Sequence, residues 1–119
     1  MHEFFVASGI METVLEEAKK HGAGKVSKIV LEIGPLSMIS VEQLEFALDI
    51  LSEGTIACGA AIECRITPVT LKCENNHVNV VAPAKLDFFS LTRIPCPACG
   101  AKTRPVGGRD CMIKEISAE

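Results

Sequence analysis

Apolar residues recur at helical spacing from Phe5 to about Lys20, at Ala7, Ile10, Met11, Val14 and Ala18, with Glu12, Glu16, Lys19 and Lys20 opposite. This predicts an amphipathic helix, ended by Gly22 and Gly24. The period then changes to two. In "KVSKIVLEIG", Ile29, Leu31 and Ile33 share one face and Lys28 and Glu32 the other, which is a strand closed by Gly34-Pro35. A second helix is predicted in "SVEQLEFALDILSEG". Ser40 and Gln43 form a capping-box pattern, and Val41, Leu44, Ala47, Leu48 and Leu51 are its expected buried stripe. "AAIECRITPV" alternates again, placing Ile62, Cys64 and Ile66 inward and Glu63, Arg65 and Thr67 outward. Helix, strand, helix, strand describes a small α/β layer.

After Pro68 the pattern breaks. Residues 71–108 show no helical periodicity and hold Pro83, Pro95, Pro97 and Pro105. So long an irregular stretch, about 40 residues, needs some other organising element inside a compact domain. "CMIKEI" (111–116) then reads as a short strand returning to the first sheet. The expected architecture is α+β: two helices on a roughly three-stranded sheet, formed by 1–69 plus 109–119, with a zinc-ribbon domain inserted at 70–108.

Composition narrows the function classes. The 119 residues are 48% hydrophobic and 23% charged, with five Phe and no Trp or Tyr, so the core is mainly aliphatic. Twelve basic against fifteen acidic residues give a net charge of −3 without any block of like charge. No electrostatic footprint for nucleic acid or an anionic membrane follows from that balance. The apolar run Phe4–Met11 is preceded by Glu3 rather than by Lys or Arg, which argues against a signal peptide. A cytoplasmic location is therefore expected. In such a compartment the six cysteines are not expected to form a disulfide framework, and their spacing bears on metal binding instead.

"CENNH" (73–77) and "CPAC" (96–99) are separated by 18 residues. Two short-spaced ligand pairs with such a gap form the zinc-ribbon pattern, because each tight turn can reach two adjacent corners of a tetrahedron. Cys73, His77, Cys96 and Cys99 are the expected ligands of a closed, structural zinc site. Cys111 is a less suitable fourth ligand, since it stands at a strand start. Cys58 and Cys64 read as structural.

The N-terminus offers a second metal chemistry. The Met1 amine, the deprotonated amide of His2 and a His2 ring nitrogen close adjacent chelate rings in one plane. Planar nitrogen donors suit Ni(II) or Cu(II) rather than tetrahedral zinc. Glu3 can complete the set through its amide or carboxylate. Methionine aminopeptidase prefers small second residues, so His2 predicts that Met1 is retained.

Other chemistries find less support. No nucleophile–base pair or glycine-rich phosphate loop is present. His21 suits the C-terminal end of the first helix, and Glu42, Glu45 and Asp49 read as a solvated face. No enzyme activity is expected. A zinc-ribbon nucleic-acid or protein-binding module is the alternative, drawing on Lys85, Arg93, Lys102, Arg104 and Arg109. Its stacking groups are limited to Phe88 and Phe89.

In order along the chain, "MHE", "EIGPLS", "VEQLEFALDILSEGT", "GAAIECRITP", "CPACG" and "GGRDCMIKEI" resemble the HypA family, including its HybF-type paralogues. These are nickel metallochaperones of [NiFe]-hydrogenase maturation. The resemblance implies a nickel site on Met1, His2 and Glu3, with Ni(II) as cargo and Zn(II) as a structural cofactor. It also implies the GTPase HypB and the hydrogenase large subunit as partners, with urease maturation proteins a further candidate. Family zinc sites usually use two Cys-x-x-Cys pairs. Here the second cysteine of the first pair is replaced by Asn76, and His77 is the substitute.

Overall fold

The computed structural model describes residues 2–83 and 94–119. Met1 lies outside the described residues, as do Lys85, Phe88, Phe89 and Arg93. The elements run α1 (His2–Lys20), β1 (Val26–Ile33), a 3-10 turn (Pro35–Ser37), α2 (Val41–Ser52), β2 (Ala61–Ile66), β3 (Val69–Cys73), β4 (Val78–Val81), β5 (Thr103–Gly107) and β6 (Cys111–Ala118). Two helices and two three-stranded sheets make an α+β fold, with strand orders β2-β1-β6 and β4-β3-β5.

The chain forms two compact units. The first comprises Met1–Glu32, Ile39–Arg65 and Met112–Glu119, and the second Ile33–Met38 and Ile66–Cys111. In the first, α1 and α2 pack on each other. Ala7, Ile10, Met11, Val14 and Ala18 of α1 are buried, as are Leu44, Ala47 and Leu48 of α2 and Val26, Ile29, Val30 and Leu31 of β1. Helix α1 ends as its glycine predicts. Gly22 takes φ 67, the Ala23 amide donates to Ala18 O (2.9 Å) and the Gly22 amide to Lys19 O (3.1 Å). That pair of bonds is the Schellman arrangement, which satisfies carbonyls the helix end would leave bare.

Several expectations need correction. Helix α1 starts at His2 rather than Phe5. Val41 and Leu51 are half-buried. Ile66, expected inward, is 44% exposed at the end of an edge strand. The stretch that lacked periodicity holds β3, β4 and β5. β3 pairs antiparallel with both neighbours, with a register irregularity between Thr70 and Leu71. Its inward face is Val69, Leu71 and Cys73, all buried. Pro105 is compatible with β5 because that strand lies at the sheet edge, the place in a sheet where proline is tolerated. Gly34 packs directly against the backbone of Gly108, and a Cβ at Gly34 would meet that carbonyl. The Leu36 amide donates to Gly108 O (2.8 Å) and the Gly34 amide to Asp110 O (2.7 Å), closing this junction within the second unit.

Candidate metal sites

A hairpin builds the first half of the cysteine–histidine cluster. The Asn76 amide donates to Cys73 O (3.1 Å) and the Cys73 amide to His77 O (3.0 Å). Asn76 sits at φ 66, the left-handed corner of a three-residue β-hairpin loop. Asparagine is among the few non-glycine residues that accept this conformation readily. Cys73 and His77 are thus the closing pair of the β3–β4 hairpin, directly opposite each other, so their side chains leave the sheet on one face. The spacing of four that separates them from a usual two-cysteine knuckle is the consequence of that loop.

A second turn supplies the other half. Pro95 bridges Lys102 across it, and the Cys96 amide donates to Ala101 O (2.9 Å) and the Gly100 amide to Cys96 O (2.7 Å). Gly100 takes φ 72, a conformation glycine adopts without a steric penalty. Cys96 is buried and Cys99 exposed.

The four ligand atoms lie within 4.8 Å of one another. Cys73 Sγ is 3.7 Å from Cys99 Sγ and 3.5 Å from His77 Nδ1, which is 3.6 Å from Cys96 Sγ. A tetrahedron with zinc–sulfur and zinc–nitrogen bonds of ordinary length has S–S edges of about 3.8 Å and S–N edges of about 3.6 Å. These three measured edges match it, with Nδ1 as the imidazole donor. Three thiolates and one imidazole suit zinc.

Amide donors surround the sulfurs. Cys73 Sγ accepts from the Asn75 and His77 amides, both at 3.3 Å. The side-chain Nδ2 of Asn75 donates to Cys99 Sγ (3.3 Å) and that of Asn79 to Cys96 Sγ (3.6 Å). Burial raises the Cys73 pKa and outweighs those backbone donors. For Cys96, burial also pushes upward, but the amides of Ala98 and Cys99 bring the pKa below its ordinary value. The Asn75 carboxamide, then the Ala101 amide, lower that of Cys99. The thiolate is the form that binds metal. Sequence spacing gave no sign of the Asn75 and Asn79 side-chain contacts. Cys58, Cys64 and Cys111 lie outside this group, which is the one such cluster among the described residues.

At the other candidate site, His2 is exposed and Glu3 is nearly enclosed, with side-chain exposures of 54% and 11%. Their His2 Nε2 and Glu3 Oε2 atoms are 3.7 Å apart. Glu3 Oε2 accepts the Ser40 amide proton at 3.0 Å, while Ser40 Oγ accepts the amide of Gln43 (3.3 Å) as the N-cap of α2. The expected capping box is therefore shared: the bond that Gln43 would make back to Ser40 comes from Glu3, 37 residues away. This contact ties the first turn of α1 to the start of α2. The Ser40 bond first, then Glu3's own backbone amide, hold the Glu3 carboxyl below its ordinary value of 4.5, against an opposing contribution from burial.

Because the folded pKa is depressed, this contact stabilises the fold fully above the unfolded value. The contribution fades as pH falls through 4.5 towards the lower folded value. Thermal midpoints of the native chain and of Glu3→Gln should differ most near neutral pH and converge below 4.5. A constant gap across that range would show that the carboxylate charge is not what Ser40 reads.

The HypA model, described as hydrogenase/urease nickel incorporation, metallochaperone, matches residues 1–118. The chain belongs to the HypA family. The hydrogenase maturation factor HypA of Methanothermobacter thermautotrophicus is 42% identical over 120 residues, covering all of this chain and 98% of that protein. Its counterpart in Methanosarcina acetivorans is 34% identical over 128 residues, covering 100% and 96%. The solution structure of the Ni metallochaperone HypA from Helicobacter pylori matches with a TM-score of 0.70 at 24% identity, covering 99% of this chain and 97% of that one. At that identity the likeness establishes a shared fold. The HypA family comprises nickel metallochaperones for hydrogenase maturation, and the cysteine–histidine cluster fits the zinc ribbon expected of it. Among the described residues no helix is long and apolar enough to cross a membrane.

Proposed function

We propose that this chain carries Ni(II) on its N-terminal Met-His-Glu and delivers it for [NiFe]-hydrogenase maturation. The observation that carries this reading is the family match, which begins at residue 1 and so includes that motif. Met1 would supply its amine and His2 its amide and ring nitrogens, with Glu3 adjoining. Local geometry supports the assignment. His2 opens α1, and the first four amides of a helix have no intrahelical acceptor. Deprotonating the His2 amide for nickel therefore breaks no helical hydrogen bond. Residues 1–69 with 109–119 form the nickel-binding part, and 70–108 the ribbon.

Zinc, held by Cys73, His77, Cys96 and Cys99, supplies structural cross-linking. With four protein donors the site leaves no position for substrate, so no catalysis is assigned to it. Delivery to the hydrogenase large subunit together with the GTPase HypB, with urease maturation proteins as further recipients, belongs to the same reading. So does a cytoplasmic setting.

Binding nickel at an amine, an amide and an imidazole displaces protons, so acid competes with the metal. Equilibrium dialysis should show nickel affinity falling as pH drops, because the ligating nitrogens must give up protons before they bind the metal. A pH-independent affinity would contradict these ligands. The alternative module reading draws on Lys85, Arg93, Lys102, Arg104 and Arg109, and among the described residues Arg104 stands directly opposite Lys72 across the β3–β5 pair. Salt-dependent binding to DNA or RNA in place of nickel would favour it.

A further inference from the structure

Helix α2 buries one face and leaves the other with features that its own fold does not use. Glu42, Phe46, Asp49, Ile50 and Glu53 are all exposed and recur at i, i+4, i+7, i+8 and i+11, which aligns them in one stripe along a helix. Phe46 is 67% and Ile50 43% exposed, one turn apart. A large aromatic left in water forfeits the free energy that its burial would release. Carboxylates flank this apolar pair at both ends and between, and 41–53 contains no Lys or Arg. None of the stripe's carboxylates is in an ion pair among the described residues.

The charge of the whole chain reinforces this local picture. The net −3 divides unevenly: the first unit holds six basic and twelve acidic residues, the second six basic and three acidic. The stripe thus lies on a unit with a net charge of −6.

We propose that the outward face of α2 is a docking surface for a basic amphipathic helix of a partner protein, whose apolar residues cover Phe46 and Ile50 while its Lys and Arg side chains meet Glu42, Asp49 and Glu53. An aromatic anchor inside a charged rim is the anatomy of an interface hot spot, and charge complementarity steers encounter and rejects acidic partners. An anionic membrane surface is disfavoured by the same carboxylates. Phe4 and Phe5, the other exposed aromatics described, lie in the first turn of α1 beside His2 and Glu3 and are not part of the stripe.

The test uses the full zinc-loaded chain and two synthetic helical peptides, one with a leucine stripe rimmed by lysine and arginine, the other its glutamate-rimmed twin. Amide NMR shifts should move saturably at 42–53 with the basic peptide and not with the acidic one. The double variant Phe46→Ser/Ile50→Ser should weaken binding about tenfold or more. The variant Glu42→Gln/Asp49→Asn/Glu53→Gln should weaken it and flatten its salt dependence. Nickel and zinc content should stay unchanged in both, which separates this surface from the metal sites. Shifts spread over the unit's other carboxylates, equal binding by the double variant, or no saturable binding would each overturn the proposal. So would concentration-dependent changes at 42–53 without peptide, which would give the face to a second copy of the chain.

Discussion

Cys96→Ala is expected to unfold the second unit and release its zinc while α1 and α2 remain folded. Besides the ligand cysteines Cys73 and Cys96, the buried apolar residues described in that unit are only Ile33, Val69 and Leu71. Three aliphatic side chains cannot offset the entropy of ordering strands of four and five residues and their connections. Structural zinc contributes about 10–16 kcal/mol in zinc-finger peptides, comparable to the whole stability of a typical domain at about 5–15 kcal/mol. Losing one thiolate therefore removes most of what holds β3, β4 and β5 together. The first unit has its own aliphatic core from α1, α2 and β1 and does not depend on that metal. Elemental analysis and amide NMR dispersion check both halves. Zinc loss with dispersed signals retained across 66–111 would show that the metal is not the organising element. Cys58→Ser, at an exposed lone cysteine, should leave zinc content and dispersion unchanged.

His2→Ala is expected to abolish nickel binding with zinc and fold intact. Without the ring nitrogen the fused planar chelate loses one of its rings, and what remains is an amine with an amide that no longer has reason to deprotonate. The fold should be indifferent, since His2 is exposed and its described contact is the weak pairing with Glu3 at 3.7 Å. Glu3 retains its bond to Ser40, so the first turn of α1 stays tied to α2. The variant must therefore show normal zinc content and thermal midpoint alongside its nickel loss. A variant that still takes up one nickel with native affinity removes His2 from the site.

Much of this was legible in the sequence, for physical reasons that differ by element. Helices α1 and α2 declare themselves because each spans several turns with a continuous apolar stripe. β1 does so because it alternates between glycine-bounded ends. The strands of the second unit are short, carry a proline at an edge and are stabilised at their ends by a proposed metal rather than by apolar side chains. Periodicity has little to detect there, while the cysteine spacing does. Residue chemistry singled out His77. The positive φ of Asn76, which sets Cys73 and His77 face to face, emerges only from the folded hairpin. Glu3 and Ser40 meet across 37 residues, a pairing no local pattern encodes. Phe46 and Ile50 carry no signal for the opposite reason: they lie outside the buried stripe, and an isolated apolar residue on a helix's far side encodes nothing about what covers it.

The N-terminal amine and His2 together form the proposed nickel site. Its most direct test is a nickel titration, with elemental zinc as the internal control, on the native chain and on one carrying a single glycine before Met1. The extra residue moves the amine out of the chelate and alters no side chain. Nickel binding confined to the native form, with equal zinc in both, is the predicted result. Equal nickel binding by the two forms would contradict an amine ligand and move the search to His77 and the ribbon.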